Sequence, residues 1–389
     1  MKKSILLVMT SLNTGGIATA IRNMISYLNR SEFDIDLLLF ENDSNNLIAN
    51  CTILSAGKFM RLTSISQNKA FEESKVLGLY RFSLGGLSRL FSHEIAYKML
   101  LNHTKSIDKH YDVAISCTQS GPIHSLYGGC NEFVLSKVKA DLKITYIHCD
   151  YKLYGLNSSY SHKIYEKFDR IAAVSRSVKD CFLSCEPTFS DKTYISSNFH
   201  DYSGIRIKSN ENSYEYDSDY FNFITVARLG REKGHLRMLP IIRNLIDQGL
   251  EFRWHIVGGD IYDAPSEFLS LMKELQVEKC IVFHGNQSNP YRFMKNADLL
   301  LIPSFHEAAP MVYEEARCLN LPILTTRTLS ADELVTSKKI GIVCNNDNNA
   351  IETALKQIIS HPDILDDYRH PDAECDNIIA LKEFKNLIY

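Results

Sequence analysis

The sequence has 389 residues, 45% hydrophobic and 23% charged, with a net charge of −3; this is average globular composition, which excludes disordered and fibrous classes and gives no general basis for nucleic-acid binding. The length exceeds one ordinary core and predicts two domains. No stretch reaches the roughly 18 consecutive apolar residues that span a bilayer, and Met1–Met9 has no cleavage pattern, so a cytoplasmic location is expected. The ten cysteines are scattered. Their one close pair, Cys181 and Cys185, has no second pair at metal-ligand spacing, and all ten are read as reduced, mostly core thiols.

In chain order, Ser4–Met9 reads as an apolar strand, followed by a turn at Thr10–Gly16 and a helix with Ile17, Ile21, Ile25 and Leu28 at helical spacing. Between Gly57 and His110, nine basic residues stand against four acidic ones. Such a surface is either an ordinary solvated face or a contact with anionic lipid or a phosphate-bearing acceptor. Short strands are expected at 36–40, 113–117, 142–148, 171–175 and 193–197, alternating with helical or irregular stretches, which implies a parallel sheet covered on both faces. Residues 203–220 are polar and aperiodic and read as a linker. A second α/β series follows, with strands at 221–227, 252–257, 281–284, 299–302 and 322–325. The expected domains are 1–202 and 221–365, and a helical tail at 366–389 is expected to pack back toward the first.

Three constellations could carry chemistry. Gly15-Gly16 at a strand-to-helix turn lets backbone amides approach a phosphate, although the pair is equally a tight turn and the full GxGxxG fingerprint is absent. Arg228 and Lys233, in Arg228-Leu-Gly-Arg-Glu-Lys-Gly234, follow the strand at 221–227. Ligands in open α/β sheets lie there, and the two cations read either as solvated charges or as a grip on a diphosphate. The third is Ser304–Leu319. Pro310 suits a first helical turn and leaves Glu307 in the loop ahead of it. At about 100° per residue, Glu315 falls on the margin of the apolar face and Glu314 nearly opposite, facing water. Glu315 could accept hydrogen bonds from a diol such as a ribose, while amides near Ala309, Pro310 and Met311 could hold anionic oxygens. The two Asp-x-Asp matches, Asp34/Asp36 and Asp217/Asp219, are poorly placed for a metal.

The order of these elements resembles family 4 of the retaining glycosyltransferases. Gly15-Gly16, Arg228–Gly234, Gly285–Tyr291 and Ala297–Thr325 carry the match, the last containing two glutamates separated by seven residues and then Leu321-Pro-Ile-Leu-Thr. The first domain matches loosely, through Gly15-Gly16, His148, the strand ending at Ser175, and Asn198. Ala308 and Asn320 stand where glycine is usual. The resemblance implies a GT-B fold, two Rossmann-like doubly wound domains facing each other across a cleft. It further implies a retaining, metal-independent sugar transfer from a nucleotide-diphosphate sugar, UDP-sugar foremost, to a glycan or lipid-linked glycan of the cell surface, with no cofactor. In that scheme Arg228 and Lys233 neutralise the diphosphate, Glu315 holds the ribose, Glu307 contacts the sugar, and His148 lies near sugar and acceptor. Gly15, Gly16, Ala309, Pro310 and Met311 complete the donor site. A nucleotide-sugar epimerase of the same architecture and a non-catalytic nucleotide-sugar-binding component are the alternatives.

Overall fold

The computed structural model describes residues 2–12, 15–28, 31–41, 51–122, 124–259, 265–371 and 374–389; Asn13 and Thr14 of the expected turn lie outside the described residues. Two compact units emerge, Met1–Phe199 with Asn377–Tyr389, and His200–Asp376.

The first unit is built on β1 (Lys3–Met9), β2 (Phe33–Leu39), β3 (Thr52–Ser55), β4 (His110–Ser116), β5 (Lys139–Ile147), β6 (Arg170–Ala173) and β7 (Thr193–Ile195). They pair in the order β3-β2-β1-β4-β5-β6-β7, every pair parallel. Ile5, Leu6, Leu7 and Val8 are all buried, so β1 has no polar face; this is the pattern of a central strand covered on both sides. Residues 377–389 belong here. Phe384 on the Ile378–Ile388 helix packs edge-on against Phe33 and Phe199. The Ser197 amide donates to Glu383 at 2.9 Å, and Lys385 meets Glu32 at 2.6 Å.

The second unit holds β8 (Phe221–Val226), β9 (Phe252–Val257), β10 (Ile281–Phe283), β11 (Leu299–Ile302), β12 (Ile323–Thr326) and β13 (Gly341–Cys344), again all parallel, in the order β10-β9-β8-β11-β12-β13. Successive strand residues point to opposite faces, and two cores result. Phe223, Leu299 and Leu301 join Trp254 and Leu324 on one side, while Ile224, Leu300 and Ile302 join Tyr313 and Ile323 on the other.

The structure departs from several sequence expectations. The linker expected at 203–220 begins as a helix, Tyr202–Asn210, in which Tyr202, Ile205 and Ser209 are buried and the Asp201 carboxylate caps the Gly204 amide at 2.9 Å. Beyond it Tyr216 packs edge-on against His255, and its hydroxyl donates to the Phe293 carbonyl at 2.7 Å. A few well-spaced apolar and aromatic groups hold this polar stretch to the second unit, which therefore spans 200–376 rather than 221–365. The expected strands omitted β3 and β13, both at sheet edges. Cys117, Cys130 and Cys149 are buried, and the partly exposed Cys280 and Cys344 pack against the core of the second unit, so about half of the ten free cysteines, rather than most, are core thiols. No helix among the described residues is long and apolar enough to cross a membrane.

Candidate functional site

In the second unit β8 lies between β9 and β11. The chain leaves β8 to build one half of the sheet and returns at β11 to build the other, so the carboxyl ends of these strands bound a topological switch point. Lys233 follows β8 and Glu307 follows β11, and their side chains meet there, Nζ to Oε1 at 2.7 Å. The Ser304 hydroxyl donates to the same carboxylate oxygen at 2.8 Å. Gly234 permits the approach. Its φ is +75°, and a Cβ there would lie 1.9 Å from the Pro303 carbonyl oxygen. The Phe305 amide also donates to the Glu232 carbonyl at 2.8 Å, tying the two loops together. Beneath them the buried Arg237 guanidinium donates to Asn348 at 3.0 Å and lies 4.2 Å from the centre of the Phe305 ring.

Arg228 is not part of this contact. Its side chain is 73% exposed and pairs with Glu232 at 3.5 Å. Among the described residues no hydrogen bond or ion pair joins it to Lys233.

Pro310 stands immediately before the Met311–Cys318 helix rather than in its first turn, and no side chain caps that amino terminus. Glu315 is buried and accepts a hydrogen bond from the Tyr291 hydroxyl at 3.3 Å. Burial pushes its carboxyl up to about 7, opposed by that one hydrogen bond. Glu314 does not face water. It accepts from Arg317 at 2.8 Å and from the Tyr202 hydroxyl at 3.0 Å, and pairs with Lys338 at 2.5 Å. Burial alone would raise its carboxyl, but the Lys338 and Arg317 charges overcome that and hold it at about 2. The helical angle gives a side chain's direction from its own helix and carries no information on what the rest of the unit lays against it. Asn320 adopts φ +56°, the left-handed conformation expected where glycine is usual.

The first unit repeats the topology, with β1 between β2 and β4. A cavity of about 690 Å³ opens at this switch point, lined by Thr10, Gly15, Gly16, Gln119, Gly121 and Tyr154 among others. The Gln119 side chain also accepts from the His148 amide at 3.1 Å. His148 follows β5 and adjoins Cys149, which lines the cavity. Its ring stacks on Tyr146 with centroids 5.4 Å apart. Burial pulls the imidazole down to about 4, against the Cys117 carbonyl that favours the proton, and Nε2 has no partner among the described residues. A neutral ring whose other nitrogen faces a carbonyl presents Nε2 as an acceptor. Asp36, of the first Asp-x-Asp pair, is occupied by Lys109 at 2.8 Å and by the Tyr111 hydroxyl at 2.7 Å.

Ser304, Tyr291, Gln119 and Arg237 were not singled out from the sequence. Ser304 and Tyr291 fall inside the noted motifs; Gln119 and Arg237 carry no spacing signal.

Residues 207–371 match the family described as Glycosyl transferases group 1. An uncharacterised glycosyltransferase of Methanocaldococcus jannaschii is 25% identical over 191 residues, 46% of this chain and 47% of that protein. The capsular polysaccharide biosynthesis glycosyltransferase CapM of Staphylococcus aureus is 22% identical over 211 residues, 51% of this chain and 54% of that protein. The chain thus matches about half the length of these relatives. Anabaena HepE, solved in complex with UDP, superposes with a TM-score of 0.63 at 14% identity, over 99% of this chain and 97% of that one. The fold is GT-B, two Rossmann-like α/β domains.

Proposed function

We propose that this protein is a retaining glycosyltransferase that moves a sugar from a nucleotide-diphosphate donor, a UDP-sugar first, to a glycan or lipid-linked glycan in cell-surface polysaccharide biosynthesis. The observation that carries the reading is the Lys233–Glu307 pair at the β8/β11 switch point, inside the segment matching the glycosyl transferases group 1 family. The UDP bound to HepE and the capsular role in CapM's name favour the choice of donor and pathway class.

Breaking the anomeric bond builds negative charge on the departing diphosphate and positive character on the sugar. An ammonium has three donors and Glu307 takes one, so Lys233 can still address the phosphate oxygens. Arg228, exposed on its loop, adds a second cation when the diphosphate arrives. Glu307, already oriented by Ser304, contacts the sugar hydroxyls, and Glu315 the ribose. Backbone amides at Ala309 and Met311, either side of Pro310, complete the phosphate cradle. In the first unit the acceptor hydroxyl is assigned to His148, whose neutral ring keeps a buried Nε2 without a partner among the described residues. Charge neutralisation by side chains makes the reaction metal-independent, and the departing phosphate oxygen, not a protein base, takes the acceptor proton, which retains configuration.

The test begins with a thermal-shift screen of nucleotide sugars on the purified chain. The stabilising donor is then offered to glycan and lipid-linked acceptors, and the anomeric configuration of the product is read by NMR. Lys233→Ala should lower turnover on the order of a hundredfold or more at saturating donor. Near-normal turnover would remove the assignment, as would inversion or epimerised donor without transfer. Dialysis against a chelator should leave the rate unchanged.

A further inference from the structure

The sequence holds one close pair of cysteines, Cys181 and Cys185, but the fold of the second unit makes another. Cys318 is the last residue of the Met311–Cys318 helix, and Cys375 lies in the stretch just before the chain crosses to the first unit. The Arg317 guanidinium donates to the Glu374 carbonyl at 3.0 Å, across 57 residues of sequence. One residue on from each, the Cys318 and Cys375 sulfurs are in hydrogen-bonding contact. The Cys318 sulfur also lies 3.6 Å from the Tyr202 carbonyl oxygen, at the start of the Tyr202–Asn210 helix. Both thiols are free and partly exposed, so neither is sealed in a core.

The surroundings divide the two thiols by role. The hydrogen bond with Cys318 holds the Cys375 thiol below the ordinary thiol range; partial burial opposes this, and the Arg317 charge supports it against Glu314. Cys318 is pushed the other way, first by the same hydrogen bond and then by burial, with Arg206 opposing. One proton therefore serves both sulfurs, and Cys375 is the one that ionises first. Cys181 and Cys185 lack this setting. Burial raises the Cys181 thiol, which donates to the Asp150 carboxylate at 3.3 Å, and the charge of that carboxylate disfavours a thiolate.

We propose that Cys318 and Cys375 are a redox-active dithiol, which a low-molecular-weight disulfide such as glutathione disulfide converts to an intramolecular disulfide, clasping residue 375 to the end of the helix that carries Glu314 and Glu315. The Cys375 thiolate attacks one sulfur of the reagent. A protein–glutathione bond forms, the reagent's S–S bond breaks, and one glutathione thiolate leaves. This removes the negative sulfur that held the proton on Cys318, and Arg206 then favours ionisation there. The Cys318 thiolate attacks the Cys375 sulfur and expels the second glutathione. The two protein thiols have lost two electrons and two protons, and the reagent has gained both as two glutathione thiols. Neither cysteine belongs to the sugar-transfer site, so the two readings stand or fall separately.

The test is incubation of the full, reduced chain with glutathione disulfide, quenching with N-ethylmaleimide, and mass spectrometry of the tryptic peptides over time. The wild type should yield peptides 318–327 and 370–382 joined by a disulfide. Cys318→Ser should stop at the mixed disulfide on Cys375, which dithiothreitol reverses. Cys375→Ser should leave Cys318 reacting about tenfold or more slowly than Cys375 does in the wild type. Both positions are partly exposed, and each variant should keep the wild-type circular dichroism and melting temperature. The proposal is overturned if the wild type forms no 318–375 cross-link, if Cys181 or Cys185 reacts ahead of Cys375, or if non-reducing electrophoresis shows that the cross-link joins two chains. These three outcomes are read on the wild type, so a variant that fails to fold does not shelter the proposal.

Discussion

Burial pushes the Glu315 carboxyl up to about 7, with the Tyr291 hydroxyl as its hydrogen-bond donor. Its folded value lies above the unfolded one, so the protein holds the extra proton between the two, and stability falls as pH rises from about 4.5 to about 7 and levels off beyond. Glu132, buried in the first unit and also pushed up to about 7 by burial, acts in the same direction. Glu315→Gln should therefore flatten the rise of the thermal midpoint toward acid pH, as seen by calorimetry across that range. Donor affinity should run the opposite way, because an ionised carboxylate accepts from both hydroxyls of a ribose. UDP should bind more tightly at pH 8 than at pH 6 by isothermal titration, and Glu315→Gln should weaken it and remove most of that difference. Glu314 has the reverse sign: its low folded value contributes stability above about 4.5 that is lost as pH falls toward 2. Glu314→Gln should cost about 1–3 kcal/mol in urea denaturation, since Arg317, Lys338 and Tyr202 lose a charged acceptor. Helical period put Glu315 on the margin of the apolar face, whereas the structure buries it with Met311, Tyr313 and Ala316. The period could not reveal that Tyr202 and Lys338, distant in sequence, close over Glu314.

Gly234 shows what one residue does for an element. The left-handed turn and the close Pro303 carbonyl both exclude a side chain, so Gly234→Ala should cost about 1–3 kcal/mol from the backbone alone. It should also part Lys233 from Glu307, lowering turnover more than donor-free stability would suggest. Leu300→Ala, in the middle of β11, should cost about 2–5 kcal/mol by chemical denaturation. Strands such as β8, β9 and β11 were legible because apolar runs bounded by turn residues have few other readings. β3 was not, since all four of its residues keep some exposure, and β13 opens on a glycine that weak strand propensity argues against. The Tyr202–Asn210 helix was hidden for a related reason: three buried positions in nine residues fall below what a periodicity search can separate from a loop.

At the scale of the molecule, the alternation of strands and helices and the two-sheet plan were readable in the sequence, whereas the border between units was not. Composition changes at the polar stretch near 210, but packing decides membership, and aromatic groups there belong to the second unit. The crossing back at Asn377 has a similar origin. Deleting 377–389 should lower the melting temperature of the first unit, because Phe384, Leu387 and Ile388 leave its core; circular dichroism of the shortened chain checks this.

That return also sets an order of events on the ribosome. Domains commonly fold as they emerge, the earlier-encoded one first. Here residues 200–376 are synthesised before the helix whose Phe384 packs against Phe33 and Phe199. The nascent chain therefore lacks the Phe384 contacts to those two rings until its second half has been made.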